Sequence, residues 1–255
     1  MLTSIIPLSY ASYSTGWISV ERHELKLPKW DADGFRVAVL SDLHTDSAQE
    51  VEHAIQAIGL AIAEKPDLIA VVGDFINYGR AVNMEYARQS LVPLRDASCP
   101  VVATLGNHDY GHKRVSRVAE VVQSSAAKLL RNQAINIRGV TIAGIDDGLA
   151  HQYDTQFLME GQYSKSILAL FHEPDFVKYV PDVVSLQISG HSHGGQICLP
   201  GGLPIHTSDG SKEYYEGFYP DAKVPLYVSR GIGTVGPRLR LFCRPEVSVL
   251  TLRSM

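Results

Sequence analysis

The sequence predicts an α/β fold in which a mixed β-sheet sandwich is flanked by helices. Three observations carry this. In the first half, short apolar runs alternate with longer stretches of helical periodicity, as in a sheet covered on its faces. In the second half the apolar runs follow one another closely, two of them around a glycine turn, as in antiparallel additions. The chain has 255 residues without repeats or a low-complexity linker, so one domain spanning residues 1–255 with a full core is expected.

Each element follows from its local pattern. Trp17 to Leu27 alternates Ile18, Val20, Leu25 and Leu27 with polar residues and reads as an edge strand. Pro28 ends it, and Asp33-Gly34 is a turn. Phe35 to Leu40 is a short apolar strand ending at Ser41-Asp42-Leu43-His44. Ala48 to Glu64 has helical periodicity, with Val51, Ile55, Ile58 and Ile62 as its apolar positions. Leu68 to Val72 is a buried strand ending at Gly73-Asp74. Met84 to Arg95 is a helix, Val101 to Leu105 a strand ending at Gly106-Asn107-His108-Asp109, and Val115 to Lys128 another helix. Ala134 to Ile137 and Val140 to Ile145 form a hairpin at Arg138-Gly139. Asp154 to Glu160 is a short helix. Ile167 to Phe171 is a strand ending at His172, and Val183 to Ile188 ends at Ser189-Gly-His-Ser-His-Gly-Gly-Gln196. A region rich in glycine, proline and tyrosine follows, Gly194 to Lys223. Strands near Leu226 to Ser229, Arg240 to Cys243 and Val247 to Leu252 close the chain.

Composition narrows the function. Apolar residues make up 45% and charged residues 20%, which is ordinary for a globular protein. A net charge of -4 without runs of like charge argues against a nucleic-acid surface. Cys99, Cys198 and Cys243 are scattered and show no CxxC spacing, so buried, neutral thiols are expected. Met1 to Tyr13 is mildly apolar but lacks a basic n-region and is too short to span a bilayer. No signal peptide or transmembrane helix is expected in this chain, which would place it in the cytoplasm or peripheral to a membrane.

Five apolar strands each end in a potential metal ligand: Asp42 with His44, Asp74, Asn107 with His108, His172, and His191 with His193. Layered α/β folds build their sites at the carboxyl ends of strands. Seven nitrogen and oxygen donors without a cysteine suit two divalent cations rather than one structural zinc, if one carboxylate bridges the pair. Asp74, in the middle of the series, is the natural bridge. Taken singly, each residue has a plainer reading: Asp42 as a helix cap, Asn107 as a turn residue, His172 as a helix-entry residue, His191 and His193 as turn histidines. Five such coincidences at five strand ends are improbable together.

Asp42-x-His44, Gly73-Asp74, Gly106-Asn-His-Asp109, His172 and Gly190-His-x-His193 resemble, in order, the motif blocks of the calcineurin-like metallophosphoesterase superfamily. The blocks Gly190-His-Ser-His-Gly-Gly-Gln-Ile197, Val228-Ser-Arg-Gly-Ile-Gly-Thr234 and Arg240-Leu-Phe-Cys-Arg-Pro-Glu246 resemble a bacterial branch. That branch contains cell-wall- and membrane-associated phosphodiesterases and UDP-diacylglucosamine hydrolases. The resemblance implies one cation held by Asp42, His44, Asp74 and His193, and a second held by Asp74, Asn107, His172 and His191. Manganese is the first choice, with iron, zinc and cobalt sharing the same donors. A water bridging the cations would lose its proton near neutral pH and attack phosphorus in line. Asp74 and His108 would be the catalytic residues, His108 facing the leaving group. The family has GDxxD where this chain has Gly73-Asp-Phe-Ile-Asn77, so the support of His108 differs here, and Asp109 is a candidate substitute.

The implied activity is hydrolysis of a small phosphodiester or pyrophosphate, lipid- or nucleotide-linked, with phosphomonoester hydrolysis and a metal-free scaffold of the same fold as alternatives. A complete ligand set argues against the scaffold. No nucleic acid partner is expected, peripheral membrane contact is compatible with the branch, and oligomeric state is left open. His206, Tyr214 and Tyr215 in the glycine-rich region and Arg230 are weaker candidates for substrate contact. For the tyrosines the alternative is packing of the loop, and for Arg230 (and Arg238) pairing with a carboxylate. His112 reads as a solvated residue or a rim residue, and His23, His53 and His151 as surface residues.

Overall fold

A computed structural model describes residues 15–77 and 84–255. Twelve strands form two six-stranded sheets among the described residues. The first contains β1 (Ser19–Leu27), β2 (Phe35–Leu40), β3 (Leu68–Val72), β4 (Val101–Thr104), β5 (Ala127–Leu129) and β12 (Glu246–Ser254), in the order β1-β12-β2-β3-β4-β5. The second contains β6 (Gln133–Ile137), β7 (Val140–Gly144), β8 (Ile167–Leu170), β9 (Leu186–Ser189), β10 (Gly217–Tyr219) and β11 (Leu226–Val228), in the order β10-β11-β9-β8-β7-β6. Both are mixed. β2, β3, β4 and β5 run parallel, and so do β7, β8, β9 and β11. The last strand, β12, slots between β1 and β2, parallel to the first and antiparallel to the second.

The sheets face each other across one apolar layer. Val37, Val39, Leu68, Val72 and Leu250 from one side meet Ile142, Leu168, Leu186, Ile188 and Tyr227 from the other. The outer face of the first sheet is covered by α1 (Ala48–Ala63), α2 (Met84–Ser90) and α3 (Val115–Gln123). That of the second is covered by α4 (Phe157–Glu160) and irregular segments. Because strands of both sheets are buried on two faces, they read as continuous apolar runs rather than alternating ones.

The departures from expectation have local causes. α1 starts at a cap supplied by Ser47, whose side chain accepts from Glu50 N, so Asp42 is not the cap. Its buried stripe is Val51, His53, Ala54, Ala57, Ile58 and Ala61, while Ile55 is exposed. Alanines let the helix lie close to the sheet, and the sequence pattern of large residues points one position off. His53 is therefore a buried residue, not a surface one, and burial pushes it down to about 4. The expected helix Met84 to Arg95 ends at Ser90 and continues as a tighter turn, Val92–Asp96, where Pro93 supplies no amide proton. The expected helix to Lys128 stops at Gln123, and Lys128 lies in β5. Arg240 to Cys243 is not a strand; only Leu241 bridges to Ile197, and Phe242 adopts a left-handed conformation. Cys198 and Cys243 are buried as expected, but the Cys243 thiol, hydrogen-bonded to Cys198, is pushed down to about 7.

Candidate metal centre

The parallel strands β2, β3 and β4 of one sheet, and β8 and β9 of the other, deliver their carboxyl ends to one place. Asp42, His44, Asp74, His172, His191 and His193 are all buried there, with His108 at their edge. The chain turns sharply at these points. Asp42, His44, Asp74, His191 and His193 all have φ between 47° and 68°, the left-handed region that costs a non-glycine residue on the order of 1 kcal/mol. Five such turns at one site are held by the surrounding packing, and they aim the side chains inward rather than along the strands.

Hydrogen bonds to the far side of each ring decide which nitrogen faces the centre. His44 Nδ1 lies 3.1 Å from Ile76 O, and His172 Nδ1 lies 2.8 Å from Val72 O. A carbonyl only accepts, so both rings carry a proton on Nδ1 and turn Nε2 toward the centre. His191 is the reverse: Nε2 donates to Asp209 O at 2.7 Å, leaving the Nδ1 lone pair facing Asn107 Oδ1 at 3.0 Å. His172 Nε2 is 3.2 Å from Asp74 Oδ2 and makes no hydrogen bond. His44 Nε2 is 3.6 Å from Asp74 Oδ2, and His193 Nε2 is 3.5 Å from Asp42 Oδ1.

Three overlapping groups of donor atoms result: Asp42, His44 and His193; His44, Asp74 and His108; Asp74, His172 and His191. Asp74 belongs to two of them, and Asn107 joins the third through His191. These residues fit a pair of divalent cations, because carboxylate and imidazole donor atoms converge within 4.8 Å of one another in each group and His172 Nε2 is buried without a hydrogen-bond partner. A Cβ added at Gly106 would sit 2.3 Å from Asp74 Oδ1 and 2.7 Å from His172 Nε2, so the space between those two donors depends on a missing side chain.

The electrostatics differ from ring to ring. Burial pushes His44 down to about 3 and His193 well below the usual histidine range, with Arg240 adding to the latter. Burial also opposes a charge on His172, but Asp74 and Asp42 outweigh it and hold His172 well above its usual range. Asp74 is held well below the carboxylate range, its desolvation overcome by His172 and His108.

Asp109 explains how Asp74 is positioned. Its carboxyl accepts the main-chain N–H groups of Asp74 (3.0 Å), Phe75 (2.9 Å) and Gly106 (2.9 Å), tying two of the strand ends together. Burial and then Asp74 push it up to about 8. Asn77 donates to Thr234 O at 3.2 Å. The His108 N–H donates to Asp74 Oδ1 at 2.9 Å, and its ring stands edge-on to His44 at 4.8 Å. Arg240, which the sequence reading left without a role, is fully buried and donates to His193 O and Gly233 O, fixing the last ligand turn from behind. A buried arginine inside an irregular run has no periodic signature, and the motif block around it was its only signal.

A cavity of about 610 Å³ opens beside the cluster. Asn107, His108, His191 and His193 form its floor, and Leu149, Ile197, Ile205 and Val235 its apolar wall. His206 lines it as well. The other weak candidates lie elsewhere. Arg230 is paired with Glu246 (2.6 Å) and Glu21 (2.9 Å). The Tyr214 ring packs on Tyr219 with centroids 4.9 Å apart, and Tyr215 is held through its main chain by Ser192 Oγ and Tyr219 Oη. Two of the wall residues, Ile197 and Ile205, come instead from the first part of the same region. The side chain of His112 lies outside the described residues.

The profile of the calcineurin-like phosphoesterase family matches residues 35–195. Phosphodiesterase YaeI of Escherichia coli is 33% identical, the match covering 93% of this chain and 89% of that protein. The uncharacterized metallophosphoesterase YkuE of Bacillus subtilis is 34% identical over 87% of this chain and 80% of its own length. UDP-2,3-diacylglucosamine pyrophosphatase LpxG of Chlamydia muridarum is 25% identical over 91% and 88%. The matched span contains every one of the five ligand-bearing strand ends, and the chain belongs to the calcineurin-like phosphoesterase family, whose members hydrolyse phosphoester bonds.

Proposed function

We propose that this chain hydrolyses a phosphodiester or pyrophosphate through two divalent cations, acting on a lipid- or nucleotide-linked substrate. The observation that carries the reading is the shared carboxylate: Asp74 contributes to two donor groups that lie against one cavity. Asp42, His44, Asp74 and His193 would hold one cation; Asp74, Asn107, His172 and His191 the other. A set of carboxylate, amide and imidazole donors suits manganese, and iron, zinc or cobalt after it. Such a pair supplies a nucleophile from water at neutral pH and neutralises phosphoryl charge.

The chain's own residues do the rest. Asp109 and Arg240 hold the ligand turns in place. His108 lines the cavity beside the cluster and is placed to give a proton to the leaving oxygen. The wall of Leu149, Ile197, Ile205 and Val235 offers an apolar surface to the part of the substrate that does not react, which favours an amphiphilic molecule over a bare phosphate. Relatives named as a phosphodiesterase and as a UDP-diacylglucosamine pyrophosphatase support the same class.

The test is hydrolysis of three substrates with added manganese and with chelator: a nucleotide diphosphate-lipid, an aryl phosphodiester and an aryl phosphomonoester. The proposal expects metal-dependent turnover of the first two, with the higher kcat/KM on the lipid. Preference for the monoester would make the chain a phosphomonoesterase, and no turnover on any would make it a scaffold.

A further inference from the structure

Directly after the last ligand turn the chain makes a narrow two-stranded tongue, residues 197–205. Leu199 N donates to Leu203 O (2.8 Å), Ile205 N donates to Ile197 O (3.1 Å), and Cys198 faces Pro204 in an antiparallel bridge. Pro200, Gly201 and Gly202 form the tip. Both glycines are left-handed; a Cβ at Gly201 would meet nothing within 4 Å, while one at Gly202 would lie 3.1 Å from Glu216 Oε1, so the tip is open at Gly201 and rests beside Glu216 at Gly202. The base is anchored: Cys198 is buried, and Pro204 packs on Gly195.

What the tongue carries is at odds with its position. Leu199, Leu203 and Ile205 are 50%, 58% and 64% exposed. A solvated loop of this shape is ordinarily polar, whereas this one exposes three aliphatic side chains within seven residues. Its neighbours continue the pattern. Val235, exposed on the adjacent segment, is tied to the tongue's root by Gln196, which donates to Val235 O and accepts from Val235 N. On the other side, Gly201 and Gly202 share a shallow recess with Phe242 and Arg244 and with Glu21 and Glu216, whose carboxylates are paired with Arg230 at 2.9 Å and 3.7 Å. Phe242 is exposed, and the Arg244 guanidinium lies 4.4 Å over the ring of the exposed Trp17. Leu199, Leu203, Ile205, Val235, Phe242 and Trp17 make up six of the twelve exposed large apolar side chains among the described residues.

We propose that this face docks on an anionic lipid bilayer, with Leu199, Leu203 and Ile205 entering the interfacial region and Trp17 and Arg244 resting at headgroup level. The shape favours a bilayer over a protein. The apolar groups are exposed side chains of a short hairpin loop, while peptide partners are taken in grooves or along open strand edges. An indole beside a guanidinium is the pairing that membrane interfaces favour, one amphipathic and the other cationic toward anionic headgroups. Continuity with the cavity gives the docking its use. Ile197 and Ile205 belong both to the tongue and to the cavity wall, so a lipid leaving the bilayer along the tongue meets apolar surface all the way to the cluster. That last step rests on the reading of the cavity as the substrate site; the docking itself does not.

The experiment is cosedimentation of the full chain with vesicles of phosphatidylcholine and phosphatidylglycerol, without substrate. The wild type should sediment with the vesicles, and Leu199→Asp combined with Leu203→Asp should lower the partition coefficient by about tenfold or more. Leu199→Ser with Leu203→Ser should fall between them, and Arg244→Gln should weaken binding mainly at low salt. The thermal midpoint, and turnover of a soluble aryl phosphodiester, should not change, because neither leucine lines the cavity. Absence of wild-type binding, or binding that the aspartates leave intact, overturns the proposal. So does a wild-type dimer, measured by sedimentation velocity, that the same substitutions dissociate while vesicle binding is absent. If vesicles are bound but no phosphoester is turned over, the docking stands and the assignment of activity fails.

Discussion

Nε2 of His44 lies 3.1 Å from Nε2 of His193, although 149 positions separate the two residues in the chain. Both rings are buried and both are pushed toward the neutral form, so two ring nitrogens from distant parts of the chain meet in the interior. Such an arrangement lacks positive charge. Asp42 and Asp74 stand within 3.9 Å of His44 Nε2, and at His172 the two carboxylates outweigh burial and hold the ring well above its usual range.

The first prediction follows from that deficit. The protein should take up two divalent cations per chain, and Asp74→Ala should lose both, since Asp74 stands in both proposed cation sets. Turnover should fall by about 10³-fold or more, because water activation and charge neutralisation go together. Metal analysis of the dialysed variant checks this. Two cations retained with full activity would remove Asp74 from the centre.

His108 should behave differently. His108→Ala leaves the other donors of each group in place, so both cations should stay, while turnover drops by roughly 10²–10⁴, the range for one acid-base group. The loss should shrink with a nitrophenolate leaving group, which needs little protonation. An equal loss with good and poor leaving groups would assign His108 to binding rather than proton transfer.

Away from the site, His53 makes stability fall in acid. Its folded value of about 4 lies below the unfolded value near 6.5, so the unfolded chain binds more protons between them. The stability due to keeping His53 neutral is full above 6.5 and is lost as pH falls toward 4, up to roughly 3 kcal/mol. Chemical denaturation at several pH values should show this slope, and His53→Leu should flatten it in the metal-free protein. A slope unchanged in the variant would put the acid sensitivity elsewhere.

How much of this was legible in the sequence depends on what each residue's signal was. That Asp42, His44, Asp74, Asn107, His172, His191 and His193 meet was legible because each follows an apolar run, and runs of four to six buried residues are strong evidence for strands. The two-sheet sandwich followed from the same runs. What the pattern could not give is direction at the strand ends: the left-handed turns at Asp42, His44, Asp74, His191 and His193 leave no mark in composition. Nor could it place Tyr214 and Tyr215, since an aromatic ring beside a site and one packed on Tyr219 look alike in a sequence. The buried face of α1 was misread because alanines weigh little in a periodicity that Ile55 dominates. Arg240 and Asp109 act on main-chain atoms, and such contacts join segments whose approach only the fold reveals.

The most discriminating prediction removes no ligand at all. Gly106 precedes Asn107 at the end of β4, and its φ is not in the left-handed region, so alanine is conformationally tolerable there. Space is the obstacle. The added methyl would lie 2.3 Å from Asp74 Oδ1, 2.7 Å from Asp74 N and 2.7 Å from His172 Nε2, distances that real carbon atoms do not adopt. Asp74 N is held by Asp109, so the main chain cannot yield easily, and the side chains of Asp74 and His172 must part instead. Overpacking of this kind costs about 1–3 kcal/mol, which lowers the thermal midpoint but leaves the chain folded. Gly106→Ala should therefore keep all seven donor residues, retain its secondary structure by circular dichroism, and bind manganese far more weakly than the wild type. Titration of the metal-free protein followed by calorimetry gives both affinities. If both cations bind with wild-type affinity, the space between Asp74 and His172 is not where a cation sits, and the bridging role of Asp74 falls with it.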